Sequence, residues 1–233
     1  MLFVTGTGTD VGKTVVTAAV AALAAHRGSV AVVKPGQTGV GPGEPGDLAE
    51  VVRLAGPVAA HELVRYPSAL SPAAAARLDG GEPLDPAQLY DLLLGLREDL
   101  VLVEGAGGLL VRYDEDGLTL ADMARALRAR VLVVVGPQLG TLNATALTLE
   151  ALAHRGVELE GLVIGAWPAS PGLAERSNLR DLEMLAARPL LGALPAGAPG
   201  APDFLTVARE SLSPQLGGTW DPRAFRRQWD PSH

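Results

Sequence analysis

The chain has no cysteine among its 233 residues. Disulfides, thiolate metal sites and a cysteine nucleophile are thereby excluded. Lysine is almost as scarce: of 19 basic residues 17 are arginine, and the two lysines are Lys13 and Lys34. No apolar run approaches the roughly 18 residues that a bilayer span needs, so no membrane partner is expected. No basic cluster interrupts a net charge of −7, and a nucleic-acid partner, which requires a basic footprint, is not expected either. Low-complexity charged blocks are also missing, while hydrophobic residues make up 48% of the chain, which predicts a buried core rather than disorder. Met1-Leu2-Phe3-Val4-Thr5 runs directly into a glycine loop with no basic region before it. It does not read as a signal peptide, and a cytoplasmic protein is expected.

The scarcity of lysine is itself informative. Richness in Ala, Gly, Pro and Arg points to a GC-rich genome that drifts lysine codons towards arginine. Lysine then persists where a compact ammonium, able to approach one oxygen from several directions, cannot be replaced by a planar guanidinium fork. Both lysines lie in glycine- and threonine-rich loops after predicted strands, which argues against chance retention.

Apolar runs alternate with helical patterns. Strands are predicted at Leu2–Thr5, Val30–Val33, Leu100–Val103, Val131–Val135, Leu159–Ile164 and Leu190–Leu194. Helices are predicted at Lys13–His26, Asp47–Ala55, Pro86–Leu96, Thr119–Arg128, Thr141–His154 and Leu173–Ala187. Continuous Val/Leu strands between helices predict a parallel sheet covered on both faces, a single α/β domain over 1–233. The Pro- and Gly-rich tail, 198–233, is expected to hold short helices near Asp203–Ser211 and Pro222–Gln228 and to have no catalytic role.

Gly6-Thr7-Gly8-Thr9-Asp10-Val11-Gly12-Lys13-Thr14 links the first strand to the first helix, the context of a phosphate loop. Glycines let successive N–H groups form an anion nest, and the helix N-terminus adds its dipole. Lys13 is expected to reach β- and γ-phosphates and the Thr14 hydroxyl a Mg²⁺ ion. The spacing is irregular: Thr7 stands where the first glycine of G-x4-G-K-T should be, with Gly6 one residue earlier. The loop therefore says "nucleoside triphosphate" and chooses no reaction.

Three further stretches add chemistry. Glu104 ends an apolar strand and precedes Gly105-Ala106-Gly107-Gly108. A carboxylate there points into the crevice beyond the strand ends and suits Mg²⁺. Lys34 opens Lys34-Pro35-Gly36-Gln37-Thr38-Gly39, where an ammonium can stabilise charge during phosphoryl transfer and Thr38 can meet a substrate. Gly136–Asn143 joins a strand to a helix; it reads equally as an anion site and as an ordinary helix start. Asp47 reads as an N-cap on residue type alone, Asp10 as a residue hydrogen-bonding its own loop, and Asp114-Glu115-Asp116 as a solvated turn. His26, His61, His154 and His233 show no ligand spacing and read as structural or solvated.

Taken together, G-T-G-T-D-V-G-K-T, K-P-G-Q-T-G, V-E-G-A-G-G and G-T-L-N, in this order, resemble dethiobiotin synthetase, most of all its actinobacterial form, from Met1 to about Gly197. Tyr66–Arg77 and Gly161–Pro168 join the match. The resemblance implies a P-loop NTPase-like fold and an ATP- and Mg²⁺-dependent cyclo-ligase. Such an enzyme carboxylates 7,8-diaminononanoate with CO2 and closes dethiobiotin's ring through a carbamate and its phosphoric anhydride. It implies Lys34, Lys13 and Thr9 as catalytic residues, and Thr14, Asp47 and Glu104 as Mg²⁺ ligands, replacing the N-cap reading of Asp47. Nucleotide contacts are implied for Thr9, Asp10, Val11, Gly12, Lys13, Thr14, Val15, Asp47, Glu104, Gly105, Ala106 and Gly107, with Gly165, Ala166, Pro195, Ala196 and Gly197 around the base. Substrate contacts are implied for Thr38, Leu139, Leu142 and Asn143, the last three across a homodimer interface.

Two departures stand out. Gly36 replaces a larger residue of relatives, and a looser Lys34 loop is expected. Ile164-Gly165-Ala166-Trp167-Pro168 lacks the asparagine with which enteric members read adenine, so CTP or GTP is expected to support turnover beside ATP. The competing reading is a P-loop ATPase switch of the partitioning or septum-positioning class, which would need a basic surface or an amphipathic C-terminal helix. Arg223, Arg226 and Arg227 lie on a short, proline-flanked segment that serves that role poorly. A third reading, an amidotransferase-linked synthetase, lacks the cysteine its glutaminase would use.

Overall fold

The computed structural model describes residues 1–229; His233 lies outside them. Seven strands form one sheet: β1 (Leu2–Gly6), β2 (Val30–Thr38), β3 (Ala59–Tyr66), β4 (Leu100–Gly108), β5 (Arg130–Val135), β6 (Leu159–Trp167) and β7 (Gly192–Pro195). Their spatial order is β3-β2-β4-β1-β5-β6-β7, and every neighbouring pair is parallel. Nine helices connect or flank them among the described residues: α1 (Lys13–Ala25), α2 (Asp47–Ala55), α3 (Pro72–Asp79), α4 (Pro86–Gly95), α5 (Leu120–Ala126), α6 (Thr141–His154), α7 (Leu173–Ala186), α8 (Phe204–Ser211) and α9 (Pro222–Trp229).

The continuous apolar strands divide by the two-residue period of the pleat. Phe3, Val33, Val103, Val133, Leu162 and Ile164 pack with Leu89, Met123, Leu152 and Leu182 on one face. Val4, Val32, Leu102, Leu132, Val134 and Val163 pack with Val16, Val51, Phe204 and Ala208 on the other. Both faces are dry, as parallel sheets require. The predicted doubly covered parallel sheet is the observed fold.

Two elements escaped the sequence reading. β3 is an edge strand of mixed composition, Ala-Ala-His-Glu-Leu-Val-Arg-Tyr, mostly half-buried. α3 is a short helix with Pro72 at its start and Gly80, in the left-handed region, at its end. β2 also runs to Thr38, beyond the predicted end at Val33. Its ladder with β4 stops at Val33↔Val103, whereas its ladder with β3 continues to Thr38↔Tyr66. Pro35, with no N–H to donate, falls past the point where β2 has two neighbours.

Within its described residues the tail packs against the rest of the domain. α8 packs on the α1 side through Phe204 and Ala208, with the Asp203 side chain accepting from Thr206 N. α9 brings Phe225 to 5.2 Å from Trp167 and 5.2 Å from Trp220, ring centre to ring centre, and its Arg226 pairs with Glu183 of α7.

Candidate active site

β1 sits between β4 and β5 and delivers the phosphate loop to the carboxyl edge of the sheet. The loop closes on itself at Gly6, where a side-chain carbon would stand 2.6 Å from Val11 Cγ2 and 2.8 Å from Gly8 O. This explains the irregular spacing: the glycine is required at position 6, while Thr7 N donates to Val134 O at 3.0 Å. Asp10 at φ 57 and Gly12 at φ 94 turn the chain through the left-handed conformations of an anion nest. No loop-backbone hydrogen bond from the Asp10 side chain accompanies that turn among the described residues. Lys13 is buried, its Nζ donating to Gly8 O at 2.9 Å.

β4 places Glu104, fully buried, beside that loop. Its Oε1 accepts from Thr14 Oγ1 at 2.9 Å and from Lys34 Nζ at 2.9 Å. Lys34, one residue past the last β2–β4 pair, also donates to Gly105 O at 3.1 Å and pairs with Asp47 Oδ2 at 2.5 Å. Burial pulls the Lys34 ammonium down, but Glu104 and Asp47 outweigh it and hold the group above its ordinary pKa. Burial, and then the Lys34 charge, push Lys13 below its ordinary value. One ammonium is saturated with acceptors; the other has a single carbonyl.

The N-cap reading of Asp47 fails. Gly46 occupies the cap, and Asp47 is the first residue of α2. Gln37 Oε1 accepts from Asp47 N at 2.8 Å, which frees the carboxylate for Lys34. Asp114 is buried rather than solvated, its Oδ1 accepting from Leu118 N at 2.8 Å. Gly36 does not loosen the Lys34 loop: a side-chain carbon there would already meet Pro72 Cγ at 3.3 Å and Tyr113 Cδ1 at 3.5 Å.

A cavity of about 390 Å³ gathers these groups, with Thr9, Asp10, Gly12, Lys13, Thr14, Val15, Lys34, Thr38, Asp47, Ala106 and Gly107 among its walls. Gly36, Gln37 and Val40 line it as well; the sequence reading noted Gly36 only for the loop and named neither Gln37 nor Val40 as a site residue. Glu104 Oε2 is buried without a hydrogen-bond partner. An orphaned carboxylate oxygen, an adjacent hydroxyl and a second, half-exposed carboxylate fit a hard divalent cation that completes its shell with phosphate oxygens and water. Among the described residues no group of three or more His, Cys, Asp or Glu side chains surrounds one point, which leaves this mixed set.

Other expected site residues lie apart from the cavity. Gly165 is buried, and its missing side chain lets Val11 and Gly12 lie against β6; a carbon there would stand 1.9 Å from Val11 O. Ala166 is half-buried, and Pro195, Ala196 and Gly197 form an exposed rim at the ends of β6 and β7. Leu139 is 85% exposed before the α6 start, which Gly140 caps at φ 95 without a side chain. Asn143 is exposed, and Leu142 lines a separate groove with Asp181, Met184 and Leu185.

The chain is similar to known proteins along most of its length. The family model described as an AAA domain matches residues 1–199. The ATP-dependent dethiobiotin synthetase BioD of Frankia casuarinae is 61% identical over 234 residues, 98% of each chain. That of Streptomyces coelicolor is 54% identical over 238 residues, 99% of each chain. Among solved structures, a ParA family ATPase from Chlorobium tepidum superposes with a TM-score of 0.52 at 16% identity, covering 93% of this chain and 95% of that one, a likeness of fold alone. With identities of this height over the full length, the chain belongs to the ATP-dependent dethiobiotin synthetase family.

Proposed function

We propose that the crevice converts 7,8-diaminononanoate, CO2 and ATP into dethiobiotin, ADP and phosphate. One substrate amine adds to CO2 and loses a proton, giving a carbamate. A carbamate oxygen attacks the γ-phosphorus of ATP and ADP leaves. The second amine attacks the carbamoyl carbon, phosphate departs with that oxygen, and the ureido ring closes. The observation that carries this reading is the Lys34 ammonium, held by Glu104 and Gly105 O beside the phosphate loop. Two anions, carbamate and γ-phosphate, must be brought together, and a fixed charge is the group that lowers their repulsion.

Lys34 is kept protonated by its carboxylates, so it acts as a charge and not as the base. Lys13, with one weak acceptor, neutralises the phosphates, and Thr9 lies close to the reacting groups. Thr14, Glu104 and Asp47 would hold Mg²⁺, with Glu104 offering its unpaired Oε2. Bound there, Mg²⁺ supplies charge neutralisation and Lewis acidity at the phosphate oxygens. Thr38 contacts the diamino acid, while Gly165, Ala166 and the 195–197 rim receive the base. We further infer a cytoplasmic homodimer whose partner subunit supplies Leu139, Leu142 and Asn143 to the substrate carboxylate. The groove lined by Leu142, Met184 and Leu185 offers apolar surface for that contact.

Purified protein given diamine, bicarbonate, Mg²⁺ and ATP should release phosphate and form dethiobiotin, with release abolished when the diamine is withheld. Diamine-independent hydrolysis without dethiobiotin would instead favour the ATPase switch.

A further inference from the structure

The ladder between β2 and β4 ends at Val33↔Val103, one residue short of Lys34 and Glu104. Beyond that pair β2 and β4 have no further Cα partners. Tyr113 packs between their ends. It is fully buried, and its ring reaches both strands. A side-chain carbon at Gly36 of β2 would stand 3.5 Å from its Cδ1, and one at Gly105 of β4 would stand 3.5 Å from its hydroxyl. The hydroxyl accepts from Ala106 N at 2.7 Å. Ala106 and Gly107 line the cavity, and the preceding Gly105 O and Glu104 Oε1 are acceptors for Lys34.

The segment that carries Tyr113 is itself anchored. Tyr113 N donates to Leu118 O at 2.9 Å, and Ala73 N of α3 donates to Arg112 O at 3.2 Å. The phenol is therefore a fixed post. Without it the half-buried Ala106 N–H would lose its protein partner, and the Gly105–Gly107 stretch of β4 would be freer to shift towards another acceptor.

We propose that Tyr113 is a positioning residue for the Lys34–Glu104 charge centre: it packs between the ends of β2 and β4 and, through Ala106 N, fixes the end of β4 that presents Gly105 O and Glu104 to the ammonium. This rests on the reading of Lys34 as the charge that serves the reaction. It also bears on Gly36, where a side-chain carbon would press on Pro72 Cγ at 3.3 Å and touch the ring at 3.5 Å.

The test is Tyr113→Phe, which keeps the ring and removes the acceptor. We expect kcat to fall about tenfold with KM for Mg-ATP within twofold, the loss of roughly one hydrogen bond at the reacting centre. The two lysines allow a readout independent of turnover. In protein labelled with ¹³Cε/¹⁵Nζ lysine, the Lys34 side-chain signal should shift while that of Lys13 stays. An unchanged kcat with an unmoved Lys34 signal overturns the proposal. So does a loss of thermal stability with both lysine signals displaced, which would make Tyr113 a packing residue only. If wild-type protein forms no dethiobiotin yet Tyr113→Phe still shifts Lys34 alone, the positioning stands and the assigned reaction falls.

Discussion

The two ends of the sheet hold cavities of opposite character. At the amino end, a groove of about 590 Å³ opens between the starts of β1, β4, β5 and β6. Its charges are solvated or paired: Asp99 Oδ2 accepts from Ser29 N at 2.8 Å and Ser29 Oγ at 2.9 Å, and Arg130 pairs with Glu158 and Glu160. At the carboxyl end, the cavity is smaller, about 390 Å³, but Lys13, Lys34 and Glu104 are buried there and one carboxylate oxygen has no partner. Volume and chemistry thus part company. Burying charge is costly unless something is gained by it, so the smaller cavity is the one built for a ligand.

The largest effect should follow from disturbing the buried centre. Lys34→Arg keeps the charge, but a planar fork cannot meet Glu104 Oε1, Asp47 Oδ2 and Gly105 O from one point. Diamine-dependent phosphate release is expected to fall about 100-fold; a rate near wild type would refute the argument from the two lysines. Glu104→Gln comes next. It leaves Lys34 with a single carboxylate and removes the orphaned anionic oxygen. Activity should drop some tens-fold and need more Mg²⁺, and the urea midpoint should fall, since breaking a buried pair costs about 3–5 kcal/mol in typical cases. An unchanged Mg²⁺ requirement would remove Glu104 from the metal set.

The difference between the ends also explains what could be read in advance. β1, the loop and α1 were legible because glycines, a lysine and unbroken apolar runs each carry a local physical meaning. β3 and α3 were not: an edge strand is half solvated, so its composition is mixed and its period weak. Asp47 was misread from residue type because Gly46 takes the cap and the Asp47 N–H is met by Gln37, ten residues away. Tyr113 gave no signal, since its function is a contact with a turn and a strand end that only the fold brings together. Gly36 was noticed but misjudged, because an absent side chain cannot say what fills its place.

A smaller effect concerns the rim beyond the buried centre. In the proposed base site, Ala166 and the 195–197 segment would offer backbone and small side chains rather than an amide side chain. CTP and GTP are expected to support turnover with kcat/KM within about tenfold of ATP, the worth of roughly one hydrogen bond. Assays with each triphosphate measure this directly, and strict dependence on ATP would mean that the rim reads adenine through its backbone.

The smallest effect should come from the larger cavity. Hydrogen bonds from Ser29 N and then Ser29 Oγ hold the Asp99 carboxyl below its ordinary value of 3.8. A depressed carboxyl contributes stability that is fully present above the unfolded value and is lost as pH falls through the folded one. Asp99→Asn should therefore melt slightly below wild type at neutral pH, with the gap closing as pH drops below about 4, while turnover stays within twofold because the clasp lies at the far end of the sheet. Thermal melts across pH, run beside the phosphate-release assay, check both halves. A collapse of turnover in Asp99→Asn would break the comparison, for it would show that the solvated groove at the amino end is coupled to the buried charges at the other.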